Sequence, residues 1–405
     1  MLGAATDAAL RRIERSLTRE RALFVAAIFL PVLLLSETAI IWSAPEHRWA
    51  FPFGHDFVAF WAAARLHAEG GIEALYDLPR FAALQASVAV RPGLLLWHYP
   101  PVYLLLILPL AALPFWLSWA LFQAGGLAAL ALAARRVLPR LDRLGWAALL
   151  GAPVIAVSLV QGQNGPWFAA FLIGGLAAWQ DGRRWLAAGL FALIAAKPQI
   201  GLLVPVAILA RRDWRMAGLA LVATMALVAL TTLALGAEAW ARFLSNTAAL
   251  SAPLTDPALL AQMPTAYASA VLAGVPGPAA LALQAALAAL AAAAVWWLWS
   301  RPGLPRELPL AGLLFAVLMI PPYGFRYDMV APLAGTLAMA CHARATGWRP
   351  GERLLAALLW LWPAAFPALA LATGIQSGYA LLALGLIWTL RRAAAALPAG
   401  RIDPR

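Results

Sequence analysis

The stretch Phe53-Gly54-His55-Asp56-Phe57-Val58-Ala59-Phe60-Trp61-Ala62-Ala63-Ala64-Arg65 opens a polar island in an otherwise greasy chain. The island runs through Gly70-Gly71-Ile72-Glu73-Ala74-Leu75-Tyr76-Asp77 and closes on Trp97-His98-Tyr99-Pro100-Pro101. His47, His55, His67 and His98, four of the 5 histidines, lie in it or just before it. Before it, Ala22 to Trp42 is apolar and long enough to cross a bilayer, which takes about 20 residues. After it, apolar runs recur almost to the end. A polar loop held between membrane helices is therefore the predicted frame. Within the loop, Ala59 to Ala68 and Pro79 to Ala89 have helical patterns too short and too charged to span. They are expected at the interface, with Gly70-Gly71 as the bend between them.

Composition agrees. The 405 residues are 63% hydrophobic and only 12% charged, whereas soluble domains carry about 25% charged residues. The net charge of +12 does not point to nucleic acid, because the arginines sit in short clusters between apolar runs, as the positive-inside rule places them. Arg11, Arg12, Arg15, Arg19 and Arg21 precede a first apolar run too long for a signal peptide. The single cysteine, Cys341, excludes an intramolecular disulfide. Among 30 basic residues, Lys197 is the only lysine.

These features predict an all-α polytopic integral membrane protein. Residues 1–21 are expected to form a cytoplasmic basic segment, 22–392 one membrane domain with 44–99 as its large extracytoplasmic loop, and 393–405 a cytoplasmic tail. Glu37, near the outer end of the first span, is an intramembrane acid or an interfacial one. Several later runs, such as Trp167 to Trp179, Trp185 to Ala196 and Ile200 to Ala210, are too short to cross upright. Broken helices of this kind are tolerated where they line a cavity. The 34 residues from Pro101 to Ala134 are read as a partial or re-entrant segment near Pro109–Pro114 followed by a span. About twelve crossings result, and every polar motif falls on the side opposite the basic clusters.

No phosphate-binding loop, dinucleotide fingerprint or His-Glu-x-x-His motif occurs, and no acids stand at a metal-binding spacing. No metal and no cofactor is expected. Asp56 is the best candidate general base, since a lone carboxylate at a membrane-facing cavity can take a hydroxyl proton. Its alternative is a helix N-cap before Phe57. Lys197, at a helix break, suits a phosphate or snorkels to the interface. Arg326 and Arg65 can grip a phosphate bidentately or be solvated. His55, His98, Tyr99, Gln163, Asn164, Tyr327 and Asp328 are candidates to contact a sugar or an acceptor. Gln163 and Asn164 have helix capping as their alternative.

Taken in order, Asp56-Phe57-x-x-Phe60-Trp61-x-Ala63-Ala64-Arg65, Gly70-Gly71, Leu75-Tyr76-Asp77 and Tyr99-Pro100-Pro101 before Pro109-Leu110 resemble glycosyltransferase family 87. Gly162-Gln163-Asn164, Lys197-Pro198 and Tyr327-Asp328 continue the resemblance, which spans about Ala22 to Ala340. It implies a GT-C-like fold in the inner (plasma) membrane with its site on the extracytoplasmic side. It also implies an inverting transfer of a hexose, mannose in that family, from a polyprenyl-phosphate-linked donor to a lipid or glycan acceptor. Asp56 would be the base, and Lys197 or Arg326 would balance the leaving phosphate. Two other classes of function remain: a transporter or flippase of lipid-linked sugars, which needs polar residues through both membrane halves, and a non-catalytic envelope scaffold.

Overall fold

The computed structural model describes residues 53–90, 95–138, 141–249 and 255–397, together with 48–49 and positions 7 and 14. The expected basic segment 1–21 apart from those two positions, the first span Ala22–Trp42 with Glu37, and the end of the tail lie outside the described residues.

The elements follow one another as helices. The first are α1 (Phe57–Tyr76), α2 (Leu78–Val88), α3 (Pro101–Ile107) and a 3-10 turn at Leu108–Ala112. They lead into α4 (Phe115–Val137), α5 (Arg143–Leu150), α6 (Pro153–Gln161) and α7 (Gly165–Gln180). Next come α8 (Arg184–Leu193), α9 (Leu203–Ala210), α10 (Trp214–Leu235) and α11 (Glu238–Ala249). The last group is α12 (Pro257–Ala261), α13 (Ala266–Leu272), α14 (Gly277–Trp299), α15 (Glu307–Ala316), α16 (Val330–Thr346), α17 (Glu352–Thr373) and α18 (Gly378–Ala396). One two-residue antiparallel pair, β1 (Arg48–Trp49) with β2 (Ala89–Val90), clasps the loop, Arg48 facing Val90.

Six stretches among the described residues are long and apolar enough to cross a membrane: α4, α5 with α6, α10, α14, α17 and α18. The protein is thus a polytopic membrane protein, with fewer full-length spans described than the twelve expected. Four shorter apolar pieces make up part of the difference: Pro101–Ala112, Arg184–Ala196, Pro198–Ala210 and Glu307–Ala316. Their shortness has local causes. Pro114 starts α4 in extended backbone, so Pro101–Ala112 stops short and α4 alone, at 23 residues, is long enough. Lys197, with φ of −144°, breaks the line between two 3-10 turns.

Helix α7 is the centre of the bundle. It is buried along nearly its whole length and packs on α4, α8 and α16. A helix apolar all round belongs in a core. Close approach to α4 is possible because Gly125 and Gly126 leave room for the Trp167 indole, whose Nε1 donates to the Phe122 carbonyl at 2.8 Å.

The loop helices depart from expectation in one respect. The first half of α1, Phe57 to Ala64, is buried on every face and packs on α3, α4 and the turn at Leu108–Ala112. Its run of Phe, Val, Ala and Trp leaves no polar face to lay on a surface. Only the second half, past Arg65, reaches solvent. The kink falls at Gly70-Gly71 as read, Gly71 having φ of 70°, but the helix resumes to Tyr76, so the junction with α2 lies at Asp77. Arg242 on α11 pairs with Glu73 at 2.8 Å and ties this exposed half to that helix.

Candidate active site

Two loops meet where the site forms. Gly54 (φ 80°) and Gly162 (φ 76°) both sit in the left-handed region, where only glycine is unstrained. A Cβ on Gly162 would lie 2.8 Å from the Gly54 Cα and 2.5 Å from the Phe57 Cβ. With neither present, the backbones join: the Gly54 N–H donates to the Val160 carbonyl at 2.7 Å, and the Asp56 N–H to that of Gln161 at 2.9 Å. This brings the N-terminus of α1 against the C-terminus of α6, two segments a hundred residues apart in sequence.

Asp56 occupies the N-cap position of α1, yet its carboxylate makes no capping hydrogen bond. It accepts instead from Gln163 Nε2 at 2.8 Å. The N-cap alternative describes its place in the chain and not what its side chain does. The carboxylate keeps 24% exposure, and His55 Nε2 stands 3.9 Å from it. Asn164 repeats the pattern: it is the N-cap residue of α7 and its side chain does not cap. Its Oδ1 accepts from Lys197 Nζ at 3.1 Å, while its Nδ2 donates to the hydroxyls of Tyr99 at 3.0 Å and Tyr103 at 3.2 Å. Consecutive amides therefore serve an acid and a cation.

Lys197 is 3% exposed and is held from several directions. Its ammonium lies 2.5 Å from Asp328 Oδ1 and over the rings of Tyr327 at 4.9 Å and Phe168 at 5.7 Å. A buried cation needs such a partner, because desolvation disfavours the bare charge. Asp328 comes from the 3-10 turn Arg326–Met329 that starts α16. This turn is pressed onto α7: a Cβ on Gly165 would fall 2.1 Å from the Tyr327 carbonyl oxygen. Gly165→Ala is accordingly expected to force the turn away from α7, lowering stability by about 1–3 kcal/mol. It should also loosen the Lys197–Asp328 contact, which a melting curve alongside an activity assay would detect.

An aromatic wall closes the other flank. Tyr99 and Tyr103 have ring centroids 4.4 Å apart, Phe60 meets both edge-on, and Trp97 stacks on Tyr103 at 5.8 Å. Burial raises the Tyr99 phenol above the usual tyrosine range, and the Asp328 and Asp56 carboxylates push the same way against the Asn164 donation. Tyr99 thus stays a neutral phenol, within electrostatic reach of both acids.

Of the residues predicted from sequence, the structure brings together His55, Asp56, Tyr99, Gln163, Asn164, Lys197, Tyr327 and Asp328. Arg326 is buried on the same turn as Tyr327 and Asp328. Two lie elsewhere. Arg65 is half-exposed on α1, engaged by Glu69 at 2.8 Å and by the Ala111 carbonyl at 2.9 Å. His98 is exposed, its Nδ1 2.8 Å from the Leu96 carbonyl. Sequence reading did not single out Tyr103 from the other tyrosines and overlooked Gln123. Tyr103 lies in the first turn of α3, just past Tyr99, and its hydroxyl shares the Asn164 amide with that of Tyr99. Gln123 is a lone amide inside an apolar span, and it donates to the Gln163 carbonyl at 3.2 Å.

A carboxylate, a buried lysine and two amides are thus gathered around the break between two helices of a membrane bundle. A model of a family described as Glycosyltransferase family 87 matches residues 97–322. That is more than half of the chain, which therefore belongs to glycosyltransferase family 87 and is a membrane glycosyltransferase. No curated protein and no solved structure matches it. Asp56 and Asp328 lie outside the matched residues, so their place in the site rests on geometry.

Proposed function

We propose that this glycosyltransferase moves a hexose, taken to be mannose, from a polyprenyl-phosphate-linked donor to a hydroxyl of a lipid or glycan acceptor, with inversion, on the extracytoplasmic face of the inner membrane. The observation that carries the reading is the Asp56 carboxylate, released from its helix terminus and aimed by Gln163. In the step, the acceptor oxygen forms the new bond to the anomeric carbon and its proton passes to Asp56. The bond from that carbon to the phosphate oxygen breaks, and polyprenyl phosphate leaves with the electron pair. Arg326 and Lys197 supply positive charge where that oxygen develops its own. Lys197 does so as half of a pair with Asp328.

The side-chain oxygens of Gln161 and Gln163 are buried and accept no hydrogen bond from the described residues. Buried acceptors normally have partners, and the hydroxyls of a bound sugar would provide them. Arg65 and His98, which lie away from this cluster, are proposed to meet substrate only as it enters.

Reconstitution in proteoliposomes with labelled polyprenyl-phosphate-mannose and a lipid-extract acceptor tests the reading. Label in a new glycosidic product supports it; label that crosses the bilayer without forming one overturns it. In the same assay Gln163→Leu is expected to lower kcat about 10- to 100-fold by letting the base wander, with KM little changed.

A further inference from the structure

A cavity of about 390 Å³ opens between α8 and α10, with Arg183, Arg184 and Arg215 in its wall and Trp185 and Leu219 at its sides. It lies far from Asp56. Helix α7 starts beside the acid and runs 16 residues, about 24 Å, before the chain reaches Gly182 at this mouth. We propose that this cavity binds the phosphate headgroup of an anionic phospholipid in the leaflet opposite the catalytic face.

The charge pattern asks for an anion. Two helix N-termini converge here, those of α8 at Arg184 and α10 at Trp214. Helix N-termini favour negative charge, yet the sequence places three arginines in or beside these first turns. Asp213 caps α10 and pairs with Arg184 at 3.1 Å. Asp181 is taken by Arg306 at 3.3 Å. Among the described residues no acid pairs with Arg183 or Arg215, so two cations and two helix ends face the cavity with one shared carboxylate. A phosphodiester would accept from both guanidinium groups and offset the field of the helix ends.

The surroundings point to a lipid and not to free phosphate. Trp185 and Trp214 are 73% and 68% exposed, as aromatic residues at headgroup depth are. Below them α10 leaves Leu221, Val222, Met225, Leu230 and Leu233 exposed along a helix long enough to cross. Acyl chains have a wall to lie on directly under the cavity. The arginine-rich end is the cytoplasmic one by the positive-inside rule. None of this depends on the reaction assigned to Asp56.

The test uses the full-length protein in nanodiscs of phosphatidylcholine with and without phosphatidylglycerol, read by native mass spectrometry and by thermal midpoint. The wild type is expected to retain phosphatidylglycerol selectively and to melt higher with it. Arg183→Gln with Arg215→Gln should weaken retention on the order of 30-fold, with an unchanged midpoint in pure phosphatidylcholine, since both side chains are exposed. Arg183→Lys with Arg215→Lys should keep most of it. Equal retention in the glutamine variant overturns the proposal. So does an equal midpoint shift of the wild type with soluble glycerol phosphate, or no preference over phosphatidylcholine; these two readings need no variant.

Discussion

Asp56→Asn is expected to lower the transfer rate by about 10²- to 10⁴-fold, the usual contribution of a positioned general base, while leaving the fold intact. The two halves of this expectation come from one observation. The carboxylate does not cap α1, so replacing it removes no helix-end hydrogen bond, and asparagine is itself a good cap residue. The amide can still accept from Gln163 through its oxygen. What it loses is the ability to take a proton. The melting temperature should stay within a few degrees of the wild type, and donor binding should persist. A variant that folds and transfers at the full rate would remove Asp56 from the mechanism. A variant that fails to fold would mean the residue is structural after all.

The second large effect concerns Lys197. Lys197→Met leaves Asp328 buried, with the Phe325 N–H at 3.4 Å as the remaining donor to its side chain among the described residues. Breaking a buried pair from one side costs about 3–5 kcal/mol, because the remaining charge is uncompensated. A steep drop in thermal midpoint is expected, with loss of transfer. The companion experiment separates the causes. Lys197→Met combined with Asp328→Leu leaves no lone charge and should recover much of the stability. If transfer stays absent in that stable double variant, the pair serves the reaction. If transfer returns, the pair is structural and the phosphate is balanced by Arg326 or another cation.

Much of this arrangement was legible in the residues. The polar loop stood out because everything around it was apolar, and Asp56 because it headed a helix beside glycine and histidine. Lys197 stood out as the only lysine, next to a proline. The convergence of Gln163, Asn164, Lys197, Tyr327 and Asp328 could be anticipated because arginine clusters force all of them to one face. The pairing itself was not legible. Lys197 and Asp328 are 131 residues apart, and nothing local in either motif names the other. Nor was the docking of Gly54 on Gly162, since a glycine announces freedom and not a partner. Tyr103 was hidden because nothing local sets it apart from the other tyrosines, all of which the topology puts on the same side. Arg65 was misleading for the opposite reason: it sits in a conspicuous motif, yet the first two turns of α1 are buried and carry it away from the acid to the carbonyl of Ala111. The length of α1 was underestimated because its glycine pair kinks the helix without ending it.

Gln163 and Asn164 are neighbours in the chain, one holding the acid and the other the cation. The two residues that hold the carboxylate and the ammonium are therefore one peptide unit apart, about 3.8 Å from Cα to Cα. This also makes the register unforgiving: deleting one residue between Gly162 and Gly165 would remove the partner of the carboxylate or that of the ammonium.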